Sequence, residues 1–440
     1  MPMPMPMLCS PLFHLRPLPR LAAGLRRGAC GTLALLLLVL APGIAAQTPA
    51  AVFLTWSDDP TTTVTVDWHL LPGHDLPAVE VRGPGIEGWR SVSGSPIDFP
   101  FSERTVRRAH VTGLEPDALY ELRVGREGPV YRYRSMPATQ VRPIRFATGG
   151  DTQFSEESFG VMNRVMAAHD IDFVLFGGDL SYANGDPRRV ERKEGWFETA
   201  TRTLVAEGNR LIPVLVAIGN HEVWESRRLE EDEDVEAFHA AWGLSERQAT
   251  YFEPLFAFPR DGFHDVLDFG DYLSVVALDS NHMTEVEDQA GWLDATLAAR
   301  AGRPHVFPVY HVPAYPSVRS FDGSVSRRIR DHWVPLFEAH GVRLVFENHD
   351  HVYKRTLPLR GGEAHPRGVV YLGDGAWGVG TREIGRDQGG EPAWYLARGI
   401  SENHGILVTL DGPHQHVLVL NRQGRVIDEY PASPRLASPQ

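Results

Sequence analysis

A chain of 440 residues, 42% hydrophobic and 22% charged, can bury a large core and, at about 150 residues per domain, fill two domains, which excludes a fibrous or disordered polypeptide. Its formal net charge of −13 argues against a nucleic-acid backbone as the main partner and supplies no basic patch for an anionic membrane. No nucleic-acid binding is expected.

Residues 1–46 differ from everything after them. Arg16, Arg20, Arg26 and Arg27 precede the apolar run Thr32–Ala41, and the small residues Gly43, Ala45 and Ala46 follow it, which is the order of a signal peptide. The apolar run is shorter than the ~20 residues that cross a bilayer, so a secreted or periplasmic product with no stable membrane anchor is expected. Cys9 and Cys30 both lie inside this segment. The mature chain then has no thiol and no disulfide, and any metal must use oxygen and nitrogen ligands.

Residues 47–137 read as all-β. Val64, Val66 and Trp68 alternate with polar residues, as do Tyr120, Leu122 and Val124, and Tyr131 and Tyr133 alternate with Arg132 and Arg134. Leu114, Pro116 and Tyr120 are similar to the tyrosine corner of fibronectin type III sandwiches, whose phenol ties a crossing loop to its strand. This stretch contains no catalytic constellation and is expected to be structural.

After Pro137 strands alternate with helices, predicting a layered α/β domain over residues 138–431. Ile144–Gly149 is a strand, Phe159, Met162, Val165 and Met166 share a helix face, and Ile171–Phe176 is a run buried on both faces. That run ends in Gly177, Gly178 and Asp179, a carboxylate at the sheet rim where open α/β folds place their chemistry. An amphipathic stretch surrounds Trp196. Leu211–Ile218, Leu273–Leu278, Val306–Tyr310 and Leu344–Phe346 continue the strands.

The ends of these runs carry the argument. Asp151, Asp179, Tyr182, Asn220, His311, His349 and His351 each follow an apolar run, and they combine hard oxygens with borderline nitrogens in a mixture suited to Fe, Zn or Mn rather than Ca. Seven donors exceed one site with open positions. A metal pair ~3.5–4 Å apart sharing one carboxylate accommodates them.

The ordered set Gly150-Asp151, Gly178-Asp179-Leu180-Ser181-Tyr182, Gly219-Asn220-His221-Glu222, Val309-Tyr310-His311 and His349-Asp350-His351 resembles the calcineurin-like metallophosphoesterases. Tyr182, three residues after Asp179, is similar to purple acid phosphatases in particular. The resemblance extends to the fibronectin-like front part, to a helix at Gln289-Ala290-Gly291-Trp292-Leu293, and to a terminal β segment over Gly405–Tyr430. It implies an α/β two-sheet sandwich with flanking helices, preceded by an all-β fibronectin type III-like sandwich. The implied activity is cleavage of a small phosphate monoester by metal-bound hydroxide. Phosphodiester or nucleotide hydrolysis at the same centre, and a non-catalytic binding or adhesion role, are the alternatives.

Carried over residue by residue, the resemblance implies that Asp151, Tyr182 and His351 hold one metal, usually ferric iron. Asn220, His311 and His349 hold a divalent Fe, Zn or Mn, and Asp179 bridges the two. His221 then faces the substrate, orienting phosphate or protonating the leaving group, with Asp179 counted beside it as catalytic. Three positions depart from the family pattern. Gln153 replaces a usual Gly, Asn348 replaces the Gly before the last motif, and Val318-Arg319-Ser320-Phe321 stands where plant members carry substrate-facing histidines. Arg319 is the candidate phosphate clamp.

Other features receive plainer readings. The run Glu230-Glu231-Asp232-Glu233-Asp234 is expected to be a solvated loop, and Gly373-Asp374-Gly375 to turn a strand near the site without ligating. His414 and His416 are expected at the surface, and residues 432–440 as a disordered tail.

Overall fold

The structure, a computed structural model, describes residues 47–231, 233–257, 262–386 and 390–436, the last five by backbone alone. The proposed signal segment lies outside the described residues.

The front part is built from antiparallel strands in two sheets, and Ala51–Thr55 and Val64–Leu70 are buried on both faces rather than half-buried, because Thr65, Asp67 and His69 are covered as well. Ala51–Thr55, Val64–Leu70, Thr105–Val111 and Ser95–Ile97 form one in that order. Ala78–Gly83, Ile86–Ser93, Leu119–Val124 and Tyr131–Arg134 belong to the other. The alternation of Val64, Val66 and Trp68 places all three in the shared core. Tyr120 behaves as its motif predicts: the buried phenol accepts the Glu115 N–H at 2.7 Å and donates to the Pro84 carbonyl at 3.2 Å.

The chain after the front part forms two mixed sheets flanked by helices, each with a parallel core and antiparallel strands at one edge or both. One orders Val214–Val216, Phe173–Phe176 and Ile144–Gly149 in parallel, then adds the antiparallel strands His404–Asp411, His414–Asn421 and Val426–Leu436. In the other, Leu273–Ala277, His305–Val309 and Leu344–Glu347 are parallel neighbours. The inner faces meet at Phe146, Phe173, Phe307 and Phe346. Stacked this way, the two sheets deliver the C-terminal ends of five strands to one rim.

Two expectations need correction. Leu211–Ile218 is not one strand: Pro213 cannot donate to a ladder, so the chain splits into Arg210–Leu211 and Val214–Val216. The first piece crosses to the front part, where Arg210 pairs in parallel with Arg132. The acidic run is the exposed loop expected at Glu230, Glu231 and Asp234, with Asp232 outside the described residues; Glu233 pairs with Arg188 at 2.6 Å, and Asp234 accepts the Ala237 N–H to cap the helix Val235–Trp242. The tail does not begin at 432, because the last strand runs to Leu436 opposite His414. Residues 437–440 lie outside the described residues.

The front part is fastened to the helix Val190–Thr203 rather than tethered beside it. Thr201 Oγ1 accepts the Val52 N–H at 3.0 Å and donates to the Val52 carbonyl at 3.1 Å, while Phe53 meets Phe197 edge-on at 5.3 Å. Trp56 packs against Phe173 and Phe269, one from each of the two mixed sheets. Aromatic burial on this scale makes the two parts one packing unit.

Candidate metal centre

Five of the seven candidate donors hold a backbone conformation that side-chain-bearing residues seldom adopt. Asp151, Asp179, Tyr182, His349 and His351 have φ of 57°, 54°, 57°, 84° and 61°. Left-handed backbone at a non-glycine residue costs on the order of 1–3 kcal/mol, so five such residues at one rim amount to strain concentrated on the site. Glycine admits the close approaches. A Cβ on Gly375, itself at φ 64°, would overlap Asp151 Oδ2, and one on Gly178, at φ 96°, would run into the Gly219 backbone.

The donors fall into two groups. In the first, the Tyr182 hydroxyl donates to Asp151 Oδ1 at 2.8 Å and lies 3.1 Å from His351 Nε2, which is 2.9 Å from the same carboxylate oxygen. In the second, His311 Nε2 is 3.1 Å from Asp179 Oδ2 and 3.0 Å from His349 Nδ1. Asp179, His311 and His349 present ligand atoms that all lie within 4.8 Å of one another. The groups are tied together, since Asp151 Oδ2 accepts the His349 N–H at 3.0 Å.

Orientation comes from outside the groups. His311 Nδ1 donates to the Gly177 carbonyl at 2.9 Å, a bond that joins the two sheets and leaves Nε2 as the inward nitrogen. The His221 N–H binds Asp179 Oδ1 at 2.8 Å, and His221 Nδ1 contacts Asn184 Oδ1, so its Nε2 faces the site 3.8 Å from Asp179. The His221 ring lies 4.1 Å from that of Tyr182.

The electrostatics suit a cation. Burial opposes the charged form of Asp179, yet His311 foremost, with His221 and His349, holds its carboxyl well below the usual range. Burial likewise opposes charge on His311, but Asp179 raises its pKa to about 9. In the absence of metal a proton therefore sits where a cation would, and metal binding must expel it. Burial and the adjacent Asp151 and Asp179 push the Tyr182 phenol far up. Asn220 supplies a further sign: its Oδ1 is buried and has no hydrogen-bond partner among the described residues. A shielded acceptor left empty costs about 1–3 kcal/mol, and a cation ligated there removes the cost. The donor set fits metal ions.

The structure brings Asp151, Asp179, Tyr182, Asn220, His221, His311, His349 and His351 to this rim. Arg319 arrives beside it, committed through Nη1 to Asp350 at 2.6 Å. Several functional neighbours carried no expected role. Glu222 accepts the N–H groups of Asp179, Leu180 and Gly219 at 2.7, 2.9 and 3.0 Å, locking two strand ends together above Lys193, 3.9 Å away. Asp350 accepts the Ser317 and Val318 N–H groups at 2.8 and 2.7 Å. His282, buried and 5.6 Å ring to ring from His311, follows the strand Leu273–Ala277. Its position after an apolar run was the signal that could have found it. Asn348 lies against Gly150 and Gly177 and donates to the Tyr310 carbonyl at 3.0 Å, a polar contact beside the donors. Asp374 turns its strand at φ 90°; its carbonyl accepts the His351 N–H at 2.7 Å while its carboxylate contacts Ser317 Oγ.

Comparison with known proteins follows the same division. Residues 144–353 match the calcineurin-like phosphoesterase family, and residues 49–139 match the purple acid phosphatase N-terminal domain. Purple acid phosphatase 18 of Arabidopsis thaliana is 29% identical over 310 residues, spanning 68% of this chain and 64% of that protein. Purple acid phosphatase 21 of the same plant is 27% identical over 290 residues, spanning 65% and 60%. The chain thus spans less than two thirds of the length of these two relatives. The purple acid phosphatase PPD1 from yellow lupin (Lupinus luteus) seeds superposes with a TM-score of 0.65 at 17% identity, over 87% of this chain and 74% of that one, a likeness of fold.

Proposed function

We propose that this chain, matched by the calcineurin-like phosphoesterase family over residues 144–353 and by the purple acid phosphatase N-terminal domain over 49–139, is an exported binuclear-metal hydrolase of phosphate monoesters. The observation that carries this reading is the pair of donor groups at one rim, beside which stands the orphaned Oδ1 of Asn220, the residue before His221. Asp151, Tyr182 and His351 would hold one ion, ferric iron by the resemblance. Asn220, His311 and His349 would hold a divalent Fe, Zn or Mn, and Asp179 would contact both. When bound, such a pair neutralises phosphate oxygens and acidifies water for attack on phosphorus.

The chain's own groups do the rest. Asp179, anchored by the His221 N–H, keeps the two donor groups in register. His221 turns Nε2 toward the site while Asn184 holds Nδ1, which sets the ring to orient phosphate or hand a proton to the leaving oxygen. Water delivers its oxygen to phosphorus, the ester P–O bond breaks, and the alcohol leaves with a proton. The front residues, 47–137, act as a fibronectin type III-like structural domain, and residues 138–431 carry the chemistry. Export rests on the basic, apolar and small-residue order before Gln47, and mass spectrometry of the mature protein should find its N-terminus near Ala46 or Gln47.

A substrate panel tests the reaction. Metal-replete protein should hydrolyse 4-nitrophenyl phosphate well and bis(4-nitrophenyl) phosphate poorly. The reverse preference makes it a diesterase, and no turnover of either by protein with verified metal content refutes the hydrolase reading.

A further inference from the structure

Two arginines outside the donor groups converge on a single main-chain atom. Arg319 Nη1 donates to the His349 carbonyl at 2.7 Å, and Arg382 Nη1 donates to the same oxygen at 3.3 Å. They come from different segments. Arg319 is held from below by Asp350, a side chain with no exposed surface, through Nη1 at 2.6 Å. Asp350 also accepts the N–H groups of Ser317, Val318 and Arg319, so the whole turn carrying that arginine is fixed to the residue between the two site histidines. Arg382 is fastened by its own backbone, its N–H binding the His351 carbonyl at 3.2 Å, while Ser401 Oγ donates to its carbonyl oxygen at 2.5 Å.

The charges do not balance locally. Asp350 neutralises one guanidinium, whereas Arg382, among the described residues, donates only to carbonyl oxygen and forms no ion pair. Two cations on one acceptor repel each other, an arrangement that an anion between or above them relieves. The fork of a guanidinium matches phosphate oxygens, and the Arg319 side chain remains 39% exposed, open to a ligand from solvent. The site is built rather than incidental, since its floor is the buried Asp350 and its support is the main chain of His349 and His351.

We propose that Arg319 and Arg382 form an anion subsite beside the metal centre that takes a second phosphoryl group of the substrate, so that the chain favours substrates carrying two phosphoryl groups over simple monoesters. This rests on the hydrolase reading above. With pyrophosphate, the oxygen of water joins the attacked phosphorus and the bridging P–O bond breaks. The second phosphate, held by the arginines, leaves with the bonding electron pair and a proton.

The test compares the mature protein with Arg382→Gln and Arg382→Lys, each with measured metal content. The ratio of kcat/KM for pyrophosphate to that for 4-nitrophenyl phosphate should fall about tenfold in Arg382→Gln, the size of one lost charge-assisted bond, and less in Arg382→Lys. An unchanged ratio overturns the subsite. Calorimetric titration of the metal-free proteins with pyrophosphate gives a reading independent of turnover: wild type should bind about tenfold more tightly than Arg382→Gln, and equal affinities overturn the proposal. If wild type turns over neither substrate, the hydrolase reading fails while the calorimetry still decides the subsite.

Discussion

At the residue scale, Tyr182 separates the purple acid phosphatase resemblance from the wider class. Its hydroxyl lies between Asp151 and His351, and burial, with Asp151 and Asp179, keeps the phenol protonated without metal; a ferric ion held there would displace that proton. A ferric phenolate absorbs visible light, so iron-loaded protein should be pink to purple and Tyr182→Phe should bleach the band while iron stays bound. An unchanged band in a variant with quantified ferric iron would remove Tyr182 from the ligand set. The candidate donors could be picked out of the sequence because each follows an apolar run at a strand end. Glu222 and Asp350 stood within the quoted motifs, but their roles were not legible: a buried carboxylate receiving three main-chain N–H groups has no periodicity and is defined only once the loops meet.

At the scale of elements, local pattern gave type better than pairing. Ile144–Gly149 appears with its expected bounds, whereas the Arg210–Leu211 strand was hidden inside a longer apolar run and pairs with a segment far back in the chain. Pairing of that kind depends on packing between sheets, which no window of sequence contains. Tyr120 is the legible case, since its phenol serves a local loop. Tyr120→Phe should lower stability by about 1–3 kcal/mol by leaving the Glu115 N–H unpaired, with metal content per folded molecule unchanged. Denaturant unfolding combined with metal analysis checks both halves, and metal loss without destabilisation would contradict the structural role.

For the whole molecule, the junction between the front sheets and the helix Val190–Thr203 sets a pH limit. His69 is buried there against Phe197 at 4.4 Å, its Nδ1 has no partner, and burial, reinforced by Arg104 and Arg108, lowers its pKa to about 3. The unfolded chain takes up this proton near pH 6.5 and the folded chain only near 3, so the unfolded state gains as pH falls between them. His69 should therefore contribute full stability above about pH 6.5 and lose up to about 1.4 kcal/mol per pH unit below it. His69→Phe, which keeps a ring in the pocket, should flatten the decline in denaturant stability between neutral and mildly acidic pH. An identical decline in the variant would mean that other groups set the limit.

The central claim is that two cations, held by donor groups that Asp179 joins, make this chain a hydrolase. Its most direct test is stoichiometric metal titration of the metal-free protein with turnover of 4-nitrophenyl phosphate followed at each addition, in wild type and in His349→Ala. Wild type should reach full activity only as the second equivalent binds. His349→Ala should retain one equivalent at limiting metal and lose activity by orders of magnitude. Full turnover at one equivalent in wild type, or near-normal turnover in His349→Ala, would contradict the account.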